Sequence, residues 1–381
     1  MNSIVVGNVN GEVKKLYSLI DSIQSKKGKF DALFCVGRFF PPDTKDLEEL
    51  YSEVLRSKEG TPIATHFIDS TGLVGPLMNA KRSAEGLELG RGLHFMGRSG
   101  VKLMKGGLRV AYLSGIDFDA ISTKSHEAQY FGNYFSSKDL DRIKSDYDLI
   151  VKNDPSHREG VDILLTSQWP LGIDAEFLNA LPLSELKQLF NNSSSSLSAI
   201  VDLIKPRYIY SSQVDVHLKR VPFLFSNGLP SRFVALGSLP GPLKPTDSKQ
   251  VYIQAIEIEP LSRVAKLEDL AAGTEQDCQK ESPFHALLKD KLDLPSRIEA
   301  MSQYRIKLGQ RIIQMEDEES RRREEHKRKP VIDDSQYLKE ERIVYVSGYD
   351  RHLAFVDLEN YLRKYGQIVR VESKIDNVHS D

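Results

Sequence analysis

The sequence predicts a layered α/β domain, on the strength of short β-rich runs that alternate with helix-period segments through its first half. Ile4 to Val6 is a short apolar strand, and Val13, Leu16, Leu19, Ile20 and Ile23 then recur at helical spacing across Glu12 to Gln24. Ala32 to Val36 reads as a second, fully buried strand, and Asp46 to Leu55 as a second helix. Further strands are expected at Ala64 to Ile68, Leu93 to Met96, Val101 to Met104, Arg109 to Ser114, Asp162 to Thr166 and Tyr208 to Ser211. Gly106-Gly107 marks the turn of a hairpin, and a β-turn is also the reading of Gly97 to Gly100 beside Lys102, whose spacing does not fit a phosphate loop. Asn191 to Ser198 is polar and serine-rich, which predicts a surface loop. Ser231 to Leu239 and Val251 to Ile258 would close the domain, so its boundaries are set at 1–260.

Beyond residue 260 the strand pattern fades, and 261–294 is expected to be extended with short helical pieces. Residues 295–330 form a long charged helix candidate, with Pro295 in its first turn and Pro330 ending it. Acid-before-base pairs at i,i+4 run from Asp317–Arg321 through Glu325–Lys329, each contributing about 0.2–0.5 kcal/mol, so the helix reads as a solvated linker. A last segment, 341–381, offers a strand (Arg342 to Gly348), an amphipathic helix (Leu353 to Tyr365) and a second strand (Ile368 to Glu372). That order is the first half of a ferredoxin-like unit.

The bulk properties narrow the function classes. The 381 residues are 40% hydrophobic and 28% charged, with a formal net charge of -2 that supplies no global attraction to nucleic acid or acidic membranes. Cys35 and Cys278 match neither a disulfide framework nor a zinc cluster, and they suit a reducing compartment. No stretch approaches the roughly 20 apolar residues of a membrane span, and no basic-then-apolar leader precedes Ile4. The polar residues Asp117, Asp119 and His126 have no ligand-like spacing and are expected to be solvated.

The turn Gly7-Asn8-Val9-Asn10-Gly11 after the first strand, and Gly37-Arg38-Phe39-Phe40 after the second, resemble those of the calcineurin-like metallophosphoesterases. The resemblance implies a β-sandwich flanked by helices, with an Asp-x-His-Gly turn and a Gly-Asp turn holding two divalent ions. Asn8, Asn10 and Arg38 stand at those ligand positions. Ser70 and Thr71 fall where a Gly-Asn-His turn is implied, Ser167 where a histidine ligand is implied, and Gln213 and Asp215 in place of a final Gly-His-x-His. His217 lies two residues beyond and is not read as a ligand. A guanidinium where a carboxylate should bridge two dications adds a third positive charge that cannot be deprotonated. We therefore expect neither metal nor cofactor, and no hydrolytic activity.

Several stretches in order resemble the CwfJ family, spliceosome-associated proteins related to the lariat-debranching enzyme. They are Gly37-Arg38-Phe39-Phe40, Gly97-Arg98-Ser99-Gly100, Leu113-Ser114-Gly115, Leu164 to Pro170, Lys205 to Tyr208 and Ser231 to Leu236. The histidine-containing C-terminal region usual in that family is not found; the tail around Val344-Tyr345-Val346 instead resembles part of an RNA-recognition motif, with Tyr345 as the base-stacking aromatic. The resemblance implies a nuclear, non-catalytic scaffold in mRNA splicing or intron-lariat turnover that binds the debranching enzyme or late spliceosomal proteins. Gln168 and Trp169 are candidate partner contacts, since tryptophan is enriched at interaction hot spots. The alternatives are a divergent phosphodiesterase, or an RNA-binding adaptor acting through the tail.

Overall fold

A computed structural model describes residues 1–41, 60–72, 86–117, 134–173, 182–212, 217–240, 251–265, 270, 281–328 and 362–363. Two compact units divide the chain, Met1–Glu319 and Ser320–Asp381. The expected helix at 46–55 and almost the whole 341–381 segment, Tyr345 included, lie outside the described residues.

Two β-sheets face each other at the centre of the first unit. The first sheet runs β17 (Ile253–Glu257), β1 (Asn2–Val6), β2 (Ala32–Cys35), β3 (Thr65–Phe67), β5 (Leu93–Phe95) and β4 (Leu87–Gly90). The second runs β14 (Leu218–Lys219), β16 (Pro230–Ala235), β13 (Pro206–Ser211), β10 (Val161–Thr166), β7 (Arg109–Leu113) and β6 (Ser99–Leu103), with β15 (Phe223–Leu224) also on β16. A short parallel pair, β8 (Ile116–Asp117) and β9 (Tyr134–Phe135), stands apart from both. Strands β1, β2, β3 and β5 are parallel to one another, as are β7, β10, β13 and β16, while the flanking strands are antiparallel. The carboxyl ends of the central strands in each sheet therefore share one edge.

The apolar pattern explains the layers. A parallel strand buried on both faces reads as a continuous hydrophobic run, and β1 and β2 do so. Alternate residues divide between cores: Ile4, Val6, Leu33 and Cys35 meet α1 (Val13–Lys27), whereas Val5, Phe34 and Val36 point at the second sheet. Val110, Tyr112, Ile163, Leu165, Tyr210 and Val234 answer them across the interface. The far side of the second sheet, with Ala111, Leu113, Leu164, Ile209 and Phe233, is covered by α2 (Ser137–Asn153), α3 (Leu183–Asn191) and α4 (Ser195–Ile204). The result is a helix–sheet–sheet–helix sandwich, the layered α/β architecture expected.

Several expectations are corrected. The serine-rich segment is not a surface loop: Ser193 and Ser194 form β12 beside β11 (Trp169–Pro170), and Ser195 begins α4. Most of its hydroxyls are satisfied within the core. Ser194 Oγ accepts from the Leu197 amide at 3.0 Å as an N-cap, and Ser198 Oγ donates to Leu171 O at 2.8 Å. Asp117 is likewise buried, at 2% exposure, where its carboxylate accepts from Ser194 Oγ. Gly97 to Gly100 is not wholly a turn, since Ser99 and Gly100 already belong to β6.

The long helix, α6 (Leu294–Arg328), exists where expected, but it is not a solvated linker along its first half. Leu294, Met301, Leu308 and Ile312 are buried, and Ile298, Tyr304 and Met315 pack beside them against α3 and α4. Arg305 joins this stripe, donating to Ser193 O at 2.8 Å and Phe190 O at 3.1 Å, with its guanidinium over the Phe190 ring. Burial pulls the Arg305 guanidinium below its ordinary value, and the nearby Asp117 charge opposes that shift. The core thus continues past residue 260 into α5 (His285–Leu288) and α6. Of the charged distal stretch, Asp317, Glu318 and Arg321 to Glu324 are exposed, as the i,i+4 pairing predicts.

Candidate functional site

The carboxyl ends of the two sets of parallel strands meet at one point. Asn8, two residues after β1, donates its amide N–H to Ser212 Oγ at 2.8 Å, and Leu239 N–H donates to Asn8 O at 2.8 Å. Asn8 Oδ1 accepts from the Arg38 amide at 2.8 Å, while Asn8 Nδ2 donates to Ser238 Oγ at 3.1 Å. Asn10 Nδ2 reaches the same Ser238 oxygen at 3.3 Å. Two glycines make the approach possible. A Cβ on Gly7 would lie 2.0 Å from Gly237 O, and one on Gly37, which has φ +83°, would lie 2.1 Å from Asn8 Oδ1.

Asp69 ties β3 into this edge. Its Oδ1 accepts from the Phe39 and Phe40 amides at 3.0 and 3.3 Å, and its Oδ2 from the Thr71 amide and hydroxyl at 2.9 and 2.6 Å. Burial pushes the Asp69 carboxyl up, and these four donors pull it back toward the ionised form. On the second sheet, Ser211 Oγ donates to Ser167 O at 2.6 Å, and the register Thr166↔Ser211 sets Ser167 beside Ser212.

The structure thus gathers Asn8, Asn10 and Arg38 and links them, through Ser212, to the strand end that carries Ser167. Ser70 and Thr71 lie on the Asp69 turn, whereas Gln213 and Asp215 fall outside the described residues. Sequence reasoning passed over Asp69, Ser212 and Ser238. An aspartate directly after an apolar strand was the available signal for the first; the two serines carry no local signal, because their role arises only where separate strand ends converge.

The donors do not suit a pair of divalent ions. Asn8 Oδ1 is engaged by the Arg38 amide, a guanidinium belongs to the residue at which the resemblance implies a bridging carboxylate, and Asp69 Oδ1 is taken up by backbone amides. Among the described residues no group of three or more His, Cys, Asp or Glu is arranged to hold a metal. His217 instead makes a 2.9 Å contact from Nδ1 to Ala235 O, where β14 pairs with β16.

Arg38 itself is half-buried, and its Nε is buried with no hydrogen-bond partner among the described residues. A buried donor left unpaired costs about 1–3 kcal/mol. Ser167 Oγ, on a fully buried residue, is unpaired as well.

Gln168 and Trp169, expected as partner contacts, are each 1% exposed. Trp169 packs edge-on against Phe233 at 5.0 Å between ring centroids, and Gln168 Oε1 accepts from the Asp117 amide at 2.6 Å. Both hold the core together and present no surface to a partner.

No family model matches the chain. It is 30% identical over 294 residues to CWF19-like protein 1 of Xenopus laevis, covering 75% of this chain and 49% of that protein. The chain is a relative of the CWF19-like proteins. CWF19-like protein 1 of Homo sapiens is 29% identical over 279 residues, covering 72% of this chain and 46% of its own length. Zinc finger CCCH domain-containing protein 64 of Arabidopsis thaliana is 30% identical over 278 residues, covering 70% and 42%. The chain spans less than half the length of the CWF19-like and related proteins it matches. Among solved structures, TT1561 of Thermus thermophilus is similar at 13% identity, covering 62% of this chain and 89% of that one, with a TM-score of 0.38. GAP50, the anchor in the inner membrane complex of Plasmodium, is similar at 13% identity over 66% and 77%, with a TM-score of 0.36. Both likenesses are remote.

Proposed function

We propose that the chain is a non-catalytic, splicing-associated scaffold. It would act in the nucleus, in mRNA splicing or intron-lariat turnover, by binding the lariat-debranching enzyme or late spliceosomal proteins. One observation carries the non-catalytic part: a guanidinium with no carboxylate partner among the described residues occupies the position where, by the resemblance, two hydrolytic metals would need a shared anionic ligand. The relationship to the CWF19-like proteins supports the splicing context.

The test has two arms. Metal analysis of the purified full chain, with a phosphodiester-cleavage assay in added manganese, should show substoichiometric metal and no turnover. Stoichiometric metal together with cleavage would reverse the reading in favour of a divergent phosphodiesterase. In the second arm, the full chain immobilised in nuclear extract should retain debranching enzyme or late spliceosomal proteins. Retention of neither, under conditions where a CWF19-like relative succeeds, would remove the splicing assignment.

A further inference from the structure

We propose that the shared strand-end edge binds a phosphate oxyanion directly through Arg38 and Ser167, the guanidinium supplying the positive charge. Other arginines of this fold have side-chain partners that Arg38 lacks. At the opposite end of the second sheet, Arg109 donates to Arg158 O, Gly160 O and the Asp154 carboxylate, and Arg207 to Asp162 and Glu259 O. Arg158 binds the carbonyls of Leu261, Val264 and Ala265, and Arg297 pairs with Asp202. Arg38 has no hydrogen-bond or ion-pair partner for its side chain among the described residues, although its Nε is buried.

The Nε of Arg220 and of Arg297 is buried and unpaired too, but Arg297 pairs with Asp202 and Arg220 lies over the Phe223 ring, whereas the Arg38 side chain has no such contact among the described residues and is left to meet something outside the chain. Buried polar groups in native proteins are hydrogen-bonded, and an orphaned one points to an ion or ligand. The second orphan is independent. Ser167 Oγ ends β10 on the other sheet, one residue beyond the Thr166↔Ser211 pair and level with Ser212, whose hydroxyl accepts from the Asn8 amide. Donors from two sheets then converge on the edge where parallel strands end, the position at which open α/β sheets hold ligands.

The chemistry favours phosphate over carboxylate. A guanidinium fork already fills both oxygens of a planar carboxylate. A tetrahedral phosphate keeps further oxygens for a hydroxyl arriving from a different direction. On the non-catalytic reading, binding proceeds without cleavage. The inference rests on the non-catalytic reading only for that last point.

The experiment uses the full chain with inorganic phosphate, adenosine monophosphate and a short single-stranded RNA as separate probes, and acetate as the carboxylate control at matched ionic strength. Thermal unfolding is followed with and without each probe for the wild type, Arg38→Met, Arg38→Lys and Ser167→Ala. Phosphate should raise the wild-type midpoint, with apparent affinity falling at least tenfold in Arg38→Met, several-fold in Arg38→Lys and two- to fivefold in Ser167→Ala. Arg38→Met should be at least as stable as wild type without phosphate and less stable in saturating phosphate. A merely structural arginine would not produce that reversal.

Equal phosphate responses in wild type and Arg38→Met, or no response in either, would overturn the proposal. Acetate acting as strongly as phosphate would replace it with a carboxylate site. If Arg38→Met fails to fold, the Ser167→Ala and Arg38→Lys affinities decide alone. RNA binding much tighter than inorganic phosphate, and lost in Arg38→Met, assigns the source to a nucleic-acid backbone; equal affinity for all three phosphate probes assigns it to a free phosphate group. Arg38-dependent phosphate binding with RNA cleavage would sink the scaffold reading and leave this one standing, whereas failure to retain spliceosomal partners would not touch it.

Discussion

Asp69 and Arg38 meet the same edge of the sandwich with opposite outcomes. The carboxylate has four donors around it, from Phe39, Phe40 and Thr71, and fixes the β2 turn to the end of β3. Removing it in Asp69→Ala strands two buried amides, so we expect a loss of about 2–4 kcal/mol in urea unfolding. Asp69→Asn keeps one acceptor oxygen for Phe39 and Phe40 and should lose about half as much. Equal losses would show that packing rather than hydrogen bonding sets the cost. His66 gives a second residue-level prediction. Half-buried, it stacks on His94 at 5.1 Å and lies 5.7 Å from Phe34 between ring centroids. Burial, aided by His94 and Lys102, lowers it from 6.5 to about 4. The unfolded chain therefore takes up a proton at His66 before the folded one does. Its contribution to stability is complete above pH 6.5 and is lost as pH falls toward 4. After allowance for solvent screening we expect about 1–2 kcal/mol across that window. Unfolding free energies at pH 7 and pH 4.5 should fall less for His66→Gln than for wild type; parallel falls would assign the acid sensitivity elsewhere.

At the scale of elements, α6 and the β12–α4 junction show what periodicity and composition each conveyed. The positions 294, 298, 301, 305, 308, 312 and 315 form a continuous three-four stripe, and that stripe is the buried face of α6. It was present in the sequence, hidden because charge dominated the composition of the segment and drew attention to its exposed half. Met301→Ala, at a fully buried position, should cost about 2–4 kcal/mol, against less than about 0.5 kcal/mol for Ile306→Ala, which is 54% exposed. Similar costs at both positions would mean that α6 is not docked as described. The serine run misled for a different reason. Ser, like Asn, favours turns in isolation, but here each buried hydroxyl except that of Ser195 finds a carbonyl, a carboxylate or a helix N-terminus nearby, or lies within the α4 turn. Ser194→Ala removes an N-cap and a bond to Asp117 together, and should cost about 1–2 kcal/mol in the same urea titration.

For the whole molecule, the decisive point is where the core ends. The second sheet's outer face is closed by α2, α3, α4 and the first half of α6, so the compact unit reaches Glu319 rather than residue 260. A chain truncated after Glu319 should unfold in one cooperative transition. One truncated after 260 would uncover apolar residues of that face and should aggregate or bind a hydrophobic dye. Comparable cooperativity in the two truncations would place the boundary back at 260.

The sequence by itself determined the layered class, the central strands and α1, because buried parallel strands and amphipathic helices are local patterns of hydrophobicity. It also marked Asn8, Asn10, Arg38 and Ser167 as residues of an unusual kind at strand ends. Only the tertiary structure decided that Trp169 and Gln168 are interior, that the serine run is buried, and that α6 completes the core. It alone showed that Arg38 Nε and Ser167 Oγ have no partner among the described residues while the Asp69 carboxylate is satisfied. The physical reason is common to all of these. Burial and hydrogen-bond satisfaction depend on which distant strand ends converge, and no local pattern encodes that.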